Sequence, residues 1–288
     1  MSALKLGSFR LSALSDGCFR LDGGSMFGVV PRVLWEGLKP PDERNRIHLG
    51  LNCLLAEGEG GRILVEAGLG GKLTPKQEDL YGLERTDHLL SALEGLRLKP
   101  EDIDMVILSH LHLDHCGWST RADGGDRFIP TFPKARYLVQ EKEWEAAVSP
   151  DIRSRASYDR RHFAALLDEG RLELVSGDAE VAPGVRVRLT GGHTPGHQVV
   201  VLESGEERCL FLGDLVPTFA HLRVTWHMGW DLFPLELMRV KEEVLKEAQE
   251  RGDLLFFTHE DSTPFARLDE KGELRPLGPD ADSAAALG

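Results

Sequence analysis

The chain has 288 residues, 41% of them hydrophobic, and a formal net charge of −13 at pH 7, which is typical of a soluble globular protein. No apolar run approaches the roughly 20 residues that cross a bilayer, so we expect no membrane partner. The 47 acidic and 34 basic residues argue against a nucleic-acid partner, because a phosphate backbone requires clustered Lys and Arg. The N-terminus lacks the apolar core and cleavage site of a signal peptide, and we expect a cytoplasmic protein.

The first half of the chain is predicted to alternate short apolar strands with amphipathic helices. The hydrophobic pattern predicts strands at 9–13, 48–56, 62–66, 105–108 and 137–140, with a hairpin turn at 58–61. Thr86 or Asp87 is the predicted cap of a helix that ends near Gly95. A second helix is predicted near 141–148, and a solvated helical stretch at 150–167.

The second half continues the same pattern and ends in a polar tail. Strands are predicted at 172–175, 185–189, 199–203, 209–212 and 254–258, with a helix at about 235–251. Because helices alternate with strands and hairpins are also present, we expect mixed β-sheets covered by helices, an α/β (α+β) class. No linker divides the chain, so a single domain is expected over residues 1–278, and residues 279–288 are expected to be disordered.

The densest group of metal-ligating side chains comes directly after the predicted strand 105–108. His110, His112, Asp114 and His115 lie in the stretch S-H-L-H-L-D-H-C-G. In an extended segment, His110 and His112 point the same way, and Asp114 and His115 reach a second point nearby. Nitrogen and oxygen ligands of this kind suit divalent metals. One segment can therefore supply ligands to two metal ions.

Three more residues of ligand type stand where predicted strands end. His193 lies in T-G-G-H-T-P-G-H, Asp214 follows the apolar run C-L-F-L-G, and His259 follows L-L-F-F-T. In each case, an apolar strand delivers one polar side chain at its edge. Glycines at 191, 192 and 213 permit close backbone approach there.

The order H-x-H-x-D-H, G-H-T-P-G-H, G-D and T-H, within residues 11–267, resembles the metallo-β-lactamase superfamily of metallohydrolases. The resemblance implies an αββα four-layer sandwich of two mixed β-sheets flanked by helices, with the site at one edge between the sheets. It also implies two metal ions, the first held by His110, His112 and His193, the second by Asp114, His115 and His259, and both bridged by Asp214. Glu66, where most relatives have Asp, would accept a hydrogen bond from a ligand histidine.

Two divalent ions in such a site would activate a bridging hydroxide for attack on a carbonyl or phosphoryl centre. Asp114 is the predicted catalytic residue, which orients the hydroxide and moves a proton to the leaving oxygen. The His-rich ligand set favours Zn²⁺, and iron, manganese or cobalt remain open.

The substrate is expected to be a small, partly apolar molecule. Two apolar stretches, 24–31 and 219–233, are candidate pocket walls, although core packing or a homodimer interface explains them equally well. The predicted substrate contacts are Phe27, Trp118, Phe219, His221, Trp226 and Phe233.

The segment D-G-G-S-M-F-G at 22–28 resembles the branch that contains acyl-homoserine lactonases and methyl-parathion-type organophosphate hydrolases. In the lactonases a tyrosine follows the bridging Asp by three residues, and this chain has Pro217 there. Our leading hypothesis is a dinuclear hydrolase that opens lactones or cleaves carboxylic esters. The alternatives are a phosphotriesterase, a mononuclear iron enzyme that oxidises thiols or persulfides, and a non-catalytic binding protein.

Overall fold

The computed structural model of the protein describes residues 3–85 and 88–278. Its strands are β1 (Ala3–Leu6), β2 (Phe9–Asp22), β3 (Arg46–Gly58), β4 (Gly61–Val65), β5 (Met105–Ile107), β6 (Thr120–Ala122), β7 (Phe128–Pro130), β8 (Arg136–Gln140), β9 (Leu172–Val175), β10 (Ala179–Ala182), β11 (Val185–Leu189), β12 (Gln198–Ser204), β13 (Glu207–Phe211), β14 (Leu254–Phe256), β15 (Phe265–Leu268) and β16 (Leu274–Pro276). Its α-helices are α1 (Gly23–Phe27), α2 (Arg32–Trp35), α3 (Pro75–Leu80), α4 (Leu89–Gly95), α5 (Glu141–Val148), α6 (Ala164–Asp168) and α7 (Pro234–Arg251).

The strands form two seven-stranded mixed sheets and a small ribbon of β6 and β7. In the first sheet the order is β1-β2-β3-β4-β5-β8-β9, with antiparallel pairs up to β4 and parallel pairs beyond it. In the second sheet the order is β10-β11-β12-β13-β14-β15-β16, and only β13 and β14 are parallel. The mixed character predicted from the sequence is confirmed.

The two sheets pack face to face and helices cover their outer faces. Leu54 and Ile107 of the first sheet share a buried cluster with Val200 and Phe211 of the second. The outer face of the first sheet packs against α4, α5 and α6, and that of the second sheet packs against α7. This is the predicted αββα four-layer sandwich.

The long helix α7 shows how sequence pattern determines this layering. Its buried side chains recur at three- and four-residue spacing, and Gly252 ends it in the left-handed conformation with φ 67°. Such an apolar stripe faces a sheet, and a glycine ends a helix without the Cβ penalty. The predicted start at 235 is one residue late, since Pro234 occupies the first turn.

Two predictions of secondary structure need correction. The first long strand continues from Phe9 to Asp22, far beyond the predicted 9–13, because an irregularity between Ser15 and Cys18 lets the pairing with β3 resume. The stretch 150–167 consists of turns, a 3-10 helix at 160–162 and the start of α6, and its buried side chains include His162, Phe163 and Leu166, so it is not one solvated helix. The predicted cap at Thr86 or Asp87 and the predicted tail 279–288 lie outside the described residues.

No helix within the described ranges is both long and apolar enough to cross a membrane.

Candidate active site

The predicted ligands converge at one edge of the sandwich, where strands of both sheets end. The segment 108–115 leaves the carboxyl end of β5, and His193 follows β11. Asp214 follows β13, and His259 follows its parallel neighbour β14. Because parallel strands end at the same edge, these loops are brought together by the sheet topology.

The first group of ligand-type atoms comprises His110, His112, His193 and Asp214, all of them buried. Their atoms lie within 4.8 Å of one another. The Nδ1 atom of His112 is 3.1 Å from Nε2 of His193, and that nitrogen is 3.2 Å from Oδ2 of Asp214. These separations suit a single ion contacting all four side chains.

The second group comprises Asp114, His115 and His259, with the same 4.8 Å limit. The Nε2 atoms of His115 and His259 are 3.3 Å apart. Oδ2 of Asp114 lies 3.6 Å from the His259 nitrogen and 3.7 Å from that of His115. Asp114 is the most exposed member, with 16% of its side chain accessible.

Asp214 stands between the two groups and presents one oxygen to each. Its Oδ2 faces His193, while its Oδ1 lies 3.5 Å from Nε2 of His115 and 3.3 Å from Nε2 of His259. Burial opposes ionisation, but His115, His193 and His259 hold the pKa of Asp214 well below its usual value. The carboxylate is therefore ionised and available to both groups.

The histidines divide by protonation. Burial, together with neighbouring imidazoles, holds the pKa values of His110 and His112 well below the usual range. Burial acts in the same direction on His115, but Asp214, Asp114 and Glu66 raise its pKa well above the usual value. Neutral imidazoles bind metals directly, and His115 must release its proton to do so.

The donor set fits a pair of divalent cations. Among the described side chains, Nε2 of His110 and Oδ1 of Asp214 are buried without a hydrogen-bond partner, which is costly unless a cation contacts them. Cys116 is not aimed at the site, because its thiol donates to the Leu111 carbonyl at 3.4 Å. The available donors are therefore nitrogen and oxygen, as zinc accepts.

Buried partners orient the ligand rings from behind. Nδ1 of His193 is 2.7 Å from Oδ1 of Asp231, a buried carboxylate that the sequence analysis missed. Nδ1 of His259 is 2.9 Å from the Gly50 carbonyl oxygen. The signal for Asp231 in the sequence was slight: one acidic residue in the apolar stretch M-G-W-D-L-F. Such partners fix the tautomer and the direction of each ring.

Glu66, which the resemblance implied to be the partner of a ligand histidine, lies behind His115. Its Oε1 accepts the Ser109 backbone N–H at 2.9 Å, and its Oε2 lies 3.5 Å from Nδ1 of His115. The residue has a φ of 70°, in the left-handed region that few non-glycine residues adopt. Its contact with the ring is therefore looser than that of Asp231 with His193.

A cavity of about 180 Å³ opens onto the two groups, enough for a small organic molecule as well as water. Asp114, His112, His193, Asp214 and His259 line its floor. Its walls are mainly apolar, and no lysine or arginine among the described residues lines it; the wall residues are Phe19, Leu21, Met26, Leu69, Tyr81, Leu113, Ala156, Ser157, Met228 and Trp230.

The structure corrects the predicted substrate contacts, since none of the six lines this cavity. Phe27 is fully buried and stacks on His221 at 4.7 Å, and Trp226 packs edge-on against it at 5.6 Å. These three side chains pack together behind the cavity wall. Met26, which packs with Phe27 and Trp226, is the residue that lines the cavity there. For these three residues, core packing, the alternative explanation, is therefore the correct one.

Of the other three candidates, Trp118 and Phe219 make contacts elsewhere and Phe233 is exposed. The Trp118 indole donates to Oδ1 of Asp16 at 2.7 Å, and Phe219 packs edge-on against Phe257. Phe233 precedes α7 and is 44% exposed. Met26, Met228 and Trp230, which lie in the predicted wall stretches 24–31 and 219–233, do line the cavity. Sequence reasoning missed Tyr81, because its place in the wall depends on how a distant loop folds over the site.

Comparison with known proteins agrees with this geometry. Residues 48–259 match the family model of the metallo-beta-lactamase superfamily. An N-acyl homoserine lactonase of Bacillus cereus is 28% identical over 231 residues, which cover 75% of this chain and 83% of the relative.

Solved structures show the same fold. A probable metal-dependent hydrolase from Staphylococcus aureus superposes with a TM-score of 0.88 at 30% identity, covering 94% of this chain and 96% of its own. AidC, a dizinc quorum-quenching lactonase, superposes with a TM-score of 0.76 at 21% identity over 96% of this chain and 97% of its own. The chain belongs to the metallo-β-lactamase superfamily of metal-dependent hydrolases.

Proposed function

We propose that the protein is a dinuclear hydrolase that opens lactones or cleaves carboxylic esters of small molecules with an apolar part. The observation that carries this proposal is the position of Asp214, with one oxygen toward each ligand group at the floor of an apolar cavity. The lactonase activity named for the Bacillus cereus relative supports the choice of reaction.

The proposed cofactors are two Zn²⁺ ions held by the seven predicted ligands. His110, His112 and His193 would hold the first ion, Asp114, His115 and His259 the second, and Asp214 would bridge them. When bound, the pair would lower the pKa of a shared water and make a bridging hydroxide available near neutral pH. The dizinc relative supports the identity and number of the ions.

Asp114 is the proposed proton carrier. It lines the cavity, it is the most exposed member of the two groups, and it lies beside His115 and His259. A carboxylate in that place can accept the proton of the attacking water and deliver it to the leaving oxygen. No serine or cysteine nucleophile is required.

The cavity walls favour a neutral substrate. Seven large apolar side chains line them, and none of the described residues there is a cation that would pair with a phosphate or carboxylate group; the seven are Phe19, Leu21, Met26, Leu69, Leu113, Met228 and Trp230. An acyl chain or alkyl ester fits such walls, whereas a phosphomonoester leaves its charges unpaired apart from the metals.

Tyr81 is the proposed hydrogen-bond donor to the substrate. It lines the cavity, and burial together with the Asp114 charge raises the pKa of its hydroxyl, which therefore stays protonated at neutral pH. Where the resemblance to the lactonases leads us to expect a tyrosine, this chain has Pro217, whose carbonyl oxygen accepts the backbone N–H of His259 at 3.0 Å. Tyr81 brings a phenol to the site from a different loop.

The test is paired kinetics of the zinc-loaded protein on an acyl-homoserine lactone, an aryl carboxylic ester and an aryl phosphotriester. We expect metal-dependent turnover of the lactone or the carboxylic ester with the highest kcat/KM. Preference for the phosphotriester would instead favour the phosphotriesterase alternative. One iron per chain with oxygen uptake on a thiol, or no turnover of any substrate, would overturn the hydrolase proposal.

Tyr81→Phe separates substrate binding from metal binding. Loss of one hydrogen bond to a bound substrate should raise KM or lower kcat/KM by about 10-fold, with the zinc content unchanged. Kinetics and metal analysis of the same preparation measure both, and an unchanged kcat/KM would remove Tyr81 from the substrate site.

A further inference from the structure

One buried carboxylate close to the metal groups has no place in the mechanism above. Glu143 lies in the first turn of α5 and is fully buried, although Glu141 and Glu145 of the same helix are exposed. Burial raises the pKa of its carboxyl. Among the described residues, no lysine, arginine or histidine forms an ion pair with it. A group placed at that cost needs strong partners.

The partners come from both of the loops that carry the first metal group. Oε1 of Glu143 accepts the backbone N–H of Leu111 at 2.9 Å, and Leu111 stands between His110 and His112. Oε2 accepts the hydroxyl of Thr194 at 2.6 Å, and Thr194 directly follows His193. The two oxygens of one carboxylate therefore hold two ligand loops that are 83 residues apart in the sequence.

Two further contacts fix this arrangement. The Tyr158 hydroxyl donates to Oε1 of Glu143 at 3.0 Å, and the Tyr158 ring lies 5.0 Å from the ring of His112. On the other side, Gly196 packs directly against the backbone of Glu143. A Cβ added to Gly196 would lie 2.1 Å from the Glu143 backbone nitrogen, so the loop of His193 reaches the helix only with glycine there.

We propose that Glu143 is a positioning residue that joins the two ligand loops and sets the distance between His112 and His193 for the first metal ion. The inference rests on the metal site of the proposed function. Glu143 does not itself reach the ligand atoms, since it contacts Leu111, Tyr158 and Thr194. Its effect on the ion is transmitted by the backbone on either side of the ligands.

Three substitutions remove different numbers of the hydrogen bonds that Glu143 accepts. Glu143→Ala leaves the Leu111 N–H and the hydroxyls of Tyr158 and Thr194 without their acceptor. Glu143→Gln retains the Oε1 acceptor, and the Thr194 hydroxyl can rotate to accept from the new amide. Thr194→Val removes only one of the two ties. The expected order of damage is therefore Ala, then Val at 194, then Gln.

The experiment measures metal affinity without substrate, by competition of Zn²⁺ and Co²⁺ with a chelator, together with the Co²⁺ absorption spectrum. We expect Glu143→Ala to lower the affinity for one of the two ions by about 10- to 100-fold and to change the Co²⁺ spectrum. Residues that orient metal ligands from behind have effects of that size. Thr194→Val should lower the affinity for the same ion by a smaller factor. The metal affinity of Glu143→Gln should stay within about 3-fold of that of wild type.

Asp253→Ala is the matched control. Asp253 is a buried carboxylate that binds Arg208 at 2.8 Å and is far along the chain from both ligand loops. Its loss should lower stability without changing metal affinity or the spectrum. If Glu143→Ala does not fold, Thr194→Val decides the question.

The outcomes separate this inference from the proposed function. A wild-type protein that binds two ions, with folded Glu143→Ala or Thr194→Val binding both equally well, overturns the positioning role alone. The same loss of affinity in Asp253→Ala also overturns it, because the effect would then follow stability. A wild-type protein that binds no ion overturns both proposals.

Discussion

The two ligand groups are built differently, although they share Asp214. Behind the first group stand buried side chains: Asp231 contacts His193 at 2.7 Å, and the Ser109 hydroxyl contacts Nδ1 of His110 at 2.9 Å. Behind the second group, His259 contacts a backbone carbonyl, and Glu66 lies 3.5 Å from His115. The second group also contains the partly exposed Asp114. The first half of the site is thus held by buried side chains at short distances, and the second half, which contains Asp114, is the more open one.

The largest expected effect comes from the residue that the two halves share. Among the described residues, Asp214 is the carboxylate that faces both groups, and Asp214→Ala removes it. We expect loss of both metal ions and a decrease in kcat/KM on the order of 1000-fold or more. Metal analysis after dialysis checks this, and retention of two ions would contradict the bridging role.

Asp114→Asn tests the open half. The amide is close to the size of the carboxylate but cannot carry the proton, so we expect kcat to decrease by about 100- to 1000-fold. The first ion should remain bound, because Asp114 takes no part in that group. Single-turnover kinetics with metal analysis measure both quantities. An unchanged kcat would remove Asp114 as proton carrier.

Asp231→Asn and Glu66→Gln compare the supports of the two halves directly. We expect Asp231→Asn to lower the affinity for one metal ion by about 10- to 100-fold, because His193 loses an ionised partner at 2.7 Å. Glu66→Gln should lower metal affinity by a smaller factor, since the Glu66 carboxylate is farther from the His115 ring. Chelator competition on both variants gives the comparison, and a larger loss at 66 would reverse our ranking of the two halves.

The smallest effect on activity is expected at Lys241, which lies behind the first group. Its ammonium donates to the Trp226 carbonyl at 2.5 Å, and burial lowers its pKa from 10.5 to about 7. Because the unfolded chain binds this proton more tightly, the stability contributed by Lys241 rises with pH between about 7 and 10.5, by at most about 1.4 kcal/mol per pH unit.

Lys241→Met removes that titration. Urea unfolding at pH 7 and pH 9 should show that the free energy of unfolding of wild type gains about 2 kcal/mol relative to the variant over this range. Metal content and kcat should be unchanged. Equal pH dependence of the two proteins would show that the lysine is already charged in the folded state.

The sequence predicted what depends on the order of residues along the chain. His110, His193, Asp214 and His259 each follow an apolar strand in the sequence, and the resemblance to the metallo-β-lactamase superfamily implied that they meet at one edge of the sandwich. Glu143 could not be found in this way, since E-K-E-W-E has the composition of an exposed helix. Its burial is decided by the approach of Gly196, a contact between distant parts of the chain.

Aromatic residues were misplaced for a related reason. Phe27 lies among glycines and Trp226 comes soon after Asp214 in the sequence, which fits a cavity wall as well as a packed cluster. The structure places Met26 at the wall and Phe27 behind it, so neighbouring residues have opposite environments. Composition cannot resolve a choice between adjacent positions, because it depends on the direction of each side chain.

The left-handed backbone of Glu66 restricts how this position can change during evolution. A side chain there costs about 1–2 kcal/mol relative to glycine, since Cβ crowds the following carbonyl oxygen. Glycine would therefore relieve the strain, but it would leave the Ser109 N–H and the His115 ring without their carboxylate. Backbone stability therefore favours glycine at this position, whereas support of the His115 ring favours a carboxylate, and this chain carries the carboxylate.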